Sequence, residues 1–576
     1  MRARLAKVAD LLARVAILAS IILGSNLWLV RIRDSVESHR SVLTGQPALG
    51  VPTSPAVQQV VMIVISGLTY DASLEMPFLN TLRGQGADAQ CRGYYPSYSQ
   101  TAWTTLISGA GPELNDAPLV DRPYDQLRPT TVDDLFVEAK RADLTTALLG
   151  FHWWERMIPE QVIDHSLFVS ERDAEADEQV SDRALVLLAN LPPNLMVVQF
   201  SQVDHAASIH GSHSPQYWDA VRRADSLVRD LAQAMSLTRN VLVVTSDHGY
   251  LADGGHGGAD REVIITPLVM TGGRVIPGEY GMVDQADVAP TIAALLGLAV
   301  PSAAEGEILF DALNMDEAES TEKWVTWAQQ KVELSDVYLE SIARSGLGPG
   351  PKGDAEVAYS SLLVRNYGSA SRLAGFAVEG ATAEMVRGRA QRIASEQRGR
   401  LPVAVLPVIA AVYLLWRRWT HANAVLFICA LGTVAIYHFL FVWEGGIYSF
   451  STIGTWEAFV TEALARMGIA LVPSLSVSIW LTWQQARRTP LRIAALNYSL
   501  ALLLSLLLAL PLAASYVFNG FEVTWRLPSP LSSFVQVFSL LSLGVGAFLV
   551  LLFPLVTIPL DRALRWIAGR LGSPRR

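Results

Sequence analysis

Three short polar clusters in this 576-residue chain hold the residue types that bind divalent metals. Gln199-Phe200-Ser201-Gln202-Val203-Asp204-His205 closes one hydrophobic run, Thr245-Ser246-Asp247-His248-Gly249 closes another, and His256 lies in the glycine-rich loop DGGHGG. A divalent ion needs carboxylates and neutral imidazoles that converge from separate loops, because no single turn presents a full ligand set. Taken singly, each histidine reads as an ordinary surface residue. Asp-His-Gly after a hydrophobic strand, with a histidine soon after in a Gly-Gly-His-Gly-Gly frame, reads instead as a metal site built from Asp204, Asp247, His248 and His256. The flanking glycines let the backbone bring the last imidazole close to the strand ends.

Those strand ends imply a sheet. VVMIVISG is a β-branched run of the kind that forms a buried parallel strand ending at a turn. TTALLG, NLMVVQF and NVLVVTS read the same way, and helical patterns such as TTVDDLFVEAKRA and SPQYWDAVRRADSLVRDLAQAM separate them. Strands alternating with helices predict an α/β domain over 58–300 with a largely parallel sheet, and ligands in such sheets bind beyond the carboxyl ends of the strands. A Pro/Ser/Gly-rich linker at 35–57 precedes this domain. Residues 301–400 turn polar and helical, which predicts a stalk with no chemistry of its own.

Apolar content elsewhere points to a membrane. Hydrophobic residues make up 51% of the chain and charged residues 17%, and mean hydropathy is +0.29. This excludes a disordered, fibrous or purely cytosolic protein. Runs near the ~20 residues needed to span a bilayer occur at about 15–31, 401–416, 423–443, 466–483, 494–518 and 532–558. The first reads as an uncleaved anchor within 1–34 rather than a signal peptide, because no small-residue cleavage site ends it. The other five form a bundle over 401–560, followed by a basic tail at 561–576.

Arg2, Arg4, Lys7, Arg14, Arg417, Arg418, Arg487, Arg488, Arg492, Arg562, Arg565, Arg570, Arg575 and Arg576 flank alternate ends of these runs. The bias of basic residues toward cytoplasmic loops places both termini in the cytoplasm and the large domain outside it, most simply at the plasma membrane. Trp416, Trp419, Trp443, Tyr448, Trp483 and Trp525 read as interfacial anchors. The net charge of −9 is concentrated outside the basic loops, which disfavours a nucleic-acid partner. Two cysteines, Cys91 and Cys429, cannot make a disulfide framework.

The pieces VVMIVISG, YPSYSQTAWTTLISG, VVQFSQVDHAASIHG, VVTSDHG, GGHGG and VDQADVAPTIAALLGLAVP resemble, in family order, the alkaline phosphatase superfamily, nearest its type I phosphodiesterase/nucleotide pyrophosphatase branch. The resemblance implies an alkaline-phosphatase-like sheet with helices on both faces. It also implies one or two divalent ions, commonly zinc, that activate a Ser or Thr nucleophile for in-line displacement at phosphorus. By position Ser99 matches that nucleophile, against the plainer reading of a helix N-cap. Asp204 and His256 would serve one ion, and Asp247, His248 and Ser99 the other.

Two positions depart from the family. Ser66 stands where the first strand usually ends in a metal-binding aspartate, and Ser208 where a histidine usually follows the second cluster. His205 or His210 would have to compensate, and Asp71 would reach the site only through a rearranged turn. The sulfatase branch is disfavoured, because Ser99-Gln100-Thr101-Ala102-Trp103 lacks the Pro and Arg that its modified residue requires. One N-terminal span, a phosphatase-like domain and a helical bundle resemble the architecture of ethanolamine-phosphate transferases. The expectation is a membrane-bound phosphodiesterase or phosphotransferase whose partners are membrane lipid and a lipid- or glycan-linked phosphate ester. The alternatives are a metal-poor relative that binds a phosphorylated ligand without turning it over, and a membrane scaffold.

Overall fold

The computed structural model describes residues 2–343, 345–417, 419–484 and 489–571. The run VVMIVI forms β1 (Val60–Ile65), with every side chain buried. Unbroken burial on both faces is what a β-branched run without alternation requires. The remaining strands are β2 (Ala87–Arg92), β3 (Thr146–Phe151), β4 (His165–Val169), β5 (Leu195–Phe200), β6 (Val241–Thr245), β7 (Ile265–Gly272) and β8 (Gly278–Asp284). They make one sheet in the order β4-β3-β5-β1-β6-β7-β2-β8. β5 and β6 flank β1 in parallel, with Val60 opposite both Leu195 and Val241. Only β7 runs against its neighbours, β6 and β2. The fold is therefore α/β and largely parallel.

Alternate residues of β1 feed two separate cores. Val60, Met62 and Val64 pack with Trp103, Leu106, Phe136 and Ile292 on one face. Val61, Ile63 and Ile65 pack with Leu79, Val180, Tyr217 and Val221 on the other. Helices thus cover both faces. Their ends are pinned by side chains: Asp173 caps Ala174–Asn190, Ser214 caps Pro215–Ala234, and Asp225 accepts the N–H groups of Phe78 and Leu79 at the start of Pro77–Gln85.

Residues 301–394 differ from the expected stalk. Val325 and Trp327, on the helix Glu317–Ala343, are buried in the same core as Val60, and the compact α/β unit comprises 37–394 together with 524–527. The polar composition that suggested a stalk includes residues that are themselves buried on this helix, Thr321, Lys323, Gln330 and Ser335 among them. Trp525 falls in this unit as well. It is buried beside Val42, Leu334 and Tyr338, with the Arg392 guanidinium 4.4 Å from its ring.

The second unit comprises 1–36, 395–523 and 528–576. Among the described residues, six helices are long and apolar enough to cross a membrane: Leu5–Glu37, Tyr367–Arg417, His421–Trp443, Trp456–Trp483, Pro490–Asn519 and Pro530–Ile567. They coincide with the six expected spans, and on this length and composition the chain is an integral membrane protein. The second span is the end of a 51-residue helix, not a helix that begins at 401. Within the unit, Asn497 donates to the Thr557 hydroxyl at 2.7 Å and accepts from Ser478, tying three helices through polar side chains. Arg418, Arg487, Arg488, Arg575 and Arg576, which entered the topology argument, lie outside the described residues.

Candidate active site

The site grows from three adjacent strand ends. β1 leaves the sheet through Ser66-Gly67, β5 leads through Ser201 into the helix Gln202–His210, and β6 leads into Ser246-Asp247-His248. Gly67 has φ +78°, and a Cβ there would lie 2.6 Å from the Asp204 Cα. Only glycine lets the turn after β1 abut the helix that carries Asp204. Asp177 fixes the start of that helix by accepting the N–H groups of Ser201 at 2.8 Å and Gln202 at 3.0 Å.

Asp204, His248 and His256 converge. One ligand atom from each lies within 4.8 Å of the others, and among the described residues this is the one such group. The two imidazoles stack at 4.3 Å with 5° between their planes. His256 Nδ1 lies 3.0 Å from the Ser97 carbonyl and His248 Nδ1 lies 3.2 Å from the Gly249 carbonyl. Carbonyls only accept, so both Nδ1 atoms carry hydrogen; in the neutral rings both Nε2 atoms then present lone pairs toward the cluster, that of His248 facing the Ser99 hydroxyl. Burial, reinforced by the neighbouring His248, pushes the His256 pKa down to about 4, so that ring is neutral near pH 7. Burial works against the charged form of His248, but the carboxylates of Asp247, Asp204 and Asp121 outweigh it and hold its pKa above the usual value. Two imidazoles and a carboxylate are a donor set that suits zinc.

Gly257 lets the His256 loop close. Its φ is +96°, and a Cβ there would meet the Tyr98 ring at 2.5 Å. Ser97 completes the seam by accepting from the Gly257 N–H and donating to the Gly258 carbonyl.

Ser99 lies on the same cluster. It is the first residue of the helix Ser99–Ser108, whose N-cap is Tyr98, so Ser99 does not cap the helix. Its buried hydroxyl is 3.0 Å from His248 Nε2. Asp121 accepts the Gln100 N–H at 3.1 Å beside it, and burial raises the Asp121 carboxyl to about 6.

The two aspartates differ sharply. Asp204 accepts from the Tyr250 hydroxyl at 2.7 Å on Oδ1 and from Arg172 at 2.9 Å on Oδ2. Asp247 accepts four donors. Gly67 N–H (3.1 Å) and His248 N–H (2.8 Å) reach Oδ1, while the Ser66 hydroxyl and the Trp103 indole N–H (2.8 Å) reach Oδ2. Asp247, expected as a ligand, is not in the three-residue group, although its Oδ2 lies 3.7 Å from His248 Nε2. Ser66 sits at the site but serves Asp247.

The expected compensating residues stay out of the group. Ser208 is exposed and donates to the His205 carbonyl of its own helix, at 2.9 Å. His210 is exposed in the last turn of that helix, and His205 is half-buried with its Nδ1 unpartnered. Asp71 is exposed in the short helix Tyr70–Ser73.

Arg172, Tyr250, Trp103 and Asp121 were not singled out from sequence. Trp103 had a signal, because it lies one helical turn after Ser99 and shares its face. Tyr250 follows the Asp-His-Gly motif directly. Arg172 follows β4, whose sequence HSLFV is too short and too polar to announce a strand.

Residues 120–289 match the family model for type I phosphodiesterase/nucleotide pyrophosphatase. The chain is 25% identical over 280 residues to the human GPI ethanolamine phosphate transferase 2 catalytic subunit, covering 44% of this chain and 28% of that one. It is 24% identical over 351 residues to GPI ethanolamine phosphate transferase 2 of Schizosaccharomyces pombe, covering 53% and 44%. The chain thus spans less than half the length of these relatives. The likeness to a solved structure of murine ectonucleotide pyrophosphatase/phosphodiesterase 5 covers 44% of this chain and 100% of that one, at 13% identity and a TM-score of 0.36. The α/β unit is similar to the type I phosphodiesterase/nucleotide pyrophosphatase family over 120–289 and to the GPI ethanolamine phosphate transferases.

Proposed function

We propose that this chain is a membrane-bound, metal-dependent transferase or hydrolase of phosphate esters, working on the extracytoplasmic face through Ser99. The observation that carries the reading is the convergence of Asp204, His248 and His256 within 4.8 Å, with the Ser99 hydroxyl 3.0 Å from His248 Nε2. Asp204, His248 and His256 would hold the ion, zinc by donor set. When bound, that ion supplies Lewis-acid stabilisation of charge on the phosphoryl oxygens.

The protein's own groups account for the rest. The Ser99 hydroxyl donates to His248 Nε2, which holds its oxygen aimed into the cluster. Ser99 is the first residue of a ten-residue helix, and the positive end of that helix favours an anion in front of it. Attack of the Ser99 oxygen on phosphorus, with departure of the ester alcohol, would leave a phosphoserine ester, and an acceptor hydroxyl or water would then release it. Arg172, partly exposed and bonded to Asp204, is placed to hold Asp204 and to meet a phosphate oxygen. The relatives' names point to a phosphodiester of the ethanolamine-phosphate class, carried by a membrane lipid or a lipid-linked glycan.

The test is headgroup release or transfer in proteoliposomes that contain phosphatidylethanolamine with a labelled headgroup. Label should leave the lipid with zinc-loaded protein and stay after chelation. Zinc-loaded, folded protein that leaves the label in place would sink the reading. The second reading, a relative that binds phosphate esters without turnover, is favoured by one observation, the exposure of Ser208 away from the cluster. Retention of labelled lipid on the protein with no product would support it.

A further inference from the structure

We infer that this chain holds one metal ion rather than two, because Ser66 and Trp103 lock Asp247 out of metal binding and turn it into a brace for the nucleophile helix. The inference rests on the reading of Asp204, His248 and His256 as metal ligands. It concerns the second ion, for which Asp247 would be the chief anionic ligand.

An ionised carboxylate offers about four lone-pair sites, two on each oxygen. In Asp247 all four are occupied by protein donors: Gly67 N–H and His248 N–H on Oδ1, Ser66 hydroxyl and Trp103 Nε1–H on Oδ2. An ion could bind there only by displacing one of these donors, although Oδ2 lies 3.7 Å from His248 Nε2. The side chain is buried, so water offers no replacement for a displaced donor. An ion at Asp247 would have to expel the indole N–H, and a buried donor without a partner costs roughly 1–3 kcal/mol. Trp103 cannot swing aside, because it is buried and stacked on Trp154 at 4.6 Å with 9° between the planes.

Ser66 completes the lock. A carboxylate at that position would add a second negative charge beside Asp247, which an ion or a shared proton would have to neutralise. A hydroxyl donates to Asp247 and removes the need for one. Trp103 lies one turn beyond Ser99, so its bond to Asp247 ties the helix Ser99–Ser108 to the end of β6, from which His248 follows directly. The lock positions nucleophile and ligand against each other with protein hydrogen bonds. Asp204 is the opposite case: two donors occupy it, and lone pairs remain on both oxygens.

The experiment is a cobalt titration of tag-free, metal-stripped full-length protein in detergent, followed by visible absorption, with zinc content by mass spectrometry after equilibration. We expect saturation at one equivalent and one zinc per chain. Saturation at two equivalents, with phosphodiesterase turnover intact, overturns the single-ion inference and leaves the proposed function standing. No bound ion in folded protein overturns both. Ser66→Asp combined with Trp103→Phe should free Asp247 and raise the content from one ion to two. A folded double variant that still takes one ion would contradict the lock, and the wild-type titration decides the stoichiometry even if that variant fails to fold.

Discussion

On either side of β1 a buried aspartate stands at the end of a parallel strand path, yet the two are used in opposite ways. Asp204, past β5, has two donors and faces His248 and His256. Asp247, past β6, has four donors, and its Oδ2 lies 3.7 Å from His248 Nε2. Residue type, burial and position along the sheet are alike. What separates them is the number of protein hydrogens aimed at each carboxylate, and that number decides which one can hold an ion.

The comparison is broken most completely by removing the open side. His256→Ala takes one of three ligands, and both zinc retention and phosphodiester turnover should fall by about three orders of magnitude or more, in parallel. Zinc content by mass spectrometry and release of p-nitrophenol from a p-nitrophenyl phosphodiester measure the two. Undiminished zinc would remove His256 from the site.

Arg172→Ala strips one of the two donors from Asp204 and leaves the ion site otherwise intact. Loss of such an outer partner costs about 10–100-fold in activity or metal affinity, and the loss should appear in KM as well as kcat if Arg172 also meets substrate phosphate. Steady-state kinetics on zinc-saturated protein separate the two parameters. Tyr250→Phe removes the other donor and one hydrogen bond worth about 1 kcal/mol net, so a drop in turnover of about tenfold or less is expected, with zinc retained.

The smallest effect concerns how the Asp204 side is held. Burial raises the Asp177 carboxyl to about 7, although the Ser201 and Gln202 N–H groups pull it down. An unfolded aspartate loses its proton near pH ~3.9, so between about 4 and 7 the folded state holds a proton that the unfolded state has lost. Stability from this residue is greatest below about pH 4, declines as pH rises to about 7, and is level above that. Urea unfolding across this window should show a shallower decline in Asp177→Asn. An unchanged slope would assign the dependence to other buried acids such as Asp134, which burial also raises, to about 6.

How much of this was legible in the sequence follows from the range of each interaction. β1, β3, β5 and β6 are readable because an unbroken apolar run leaves a buried strand no other reading. β2 (ADAQCR) and β8 (GEYGMVD) lie at one edge of the sheet, where half the side chains meet solvent and the apolar signal is diluted. Asp204, His248, His256 and Ser99 are readable because metal and nucleophile chemistry restricts the residue types and their strand-end positions. The lock on Asp247 is not, because it is made between Trp103 and a residue 144 positions away, and nothing local to either one records the other. The serine at 66 reads from sequence as a lost ligand. Only its bond to Asp247 reveals it as a replacement.

The central claim is that Ser99 attacks phosphorus at the Asp204–His248–His256 cluster. Its most direct test is phosphodiester turnover by Ser99→Ala beside the wild-type protein, with zinc content measured on the same samples. The account predicts a loss of about a thousandfold or more with the zinc retained. Turnover at the wild-type rate in zinc-loaded Ser99→Ala protein would contradict it.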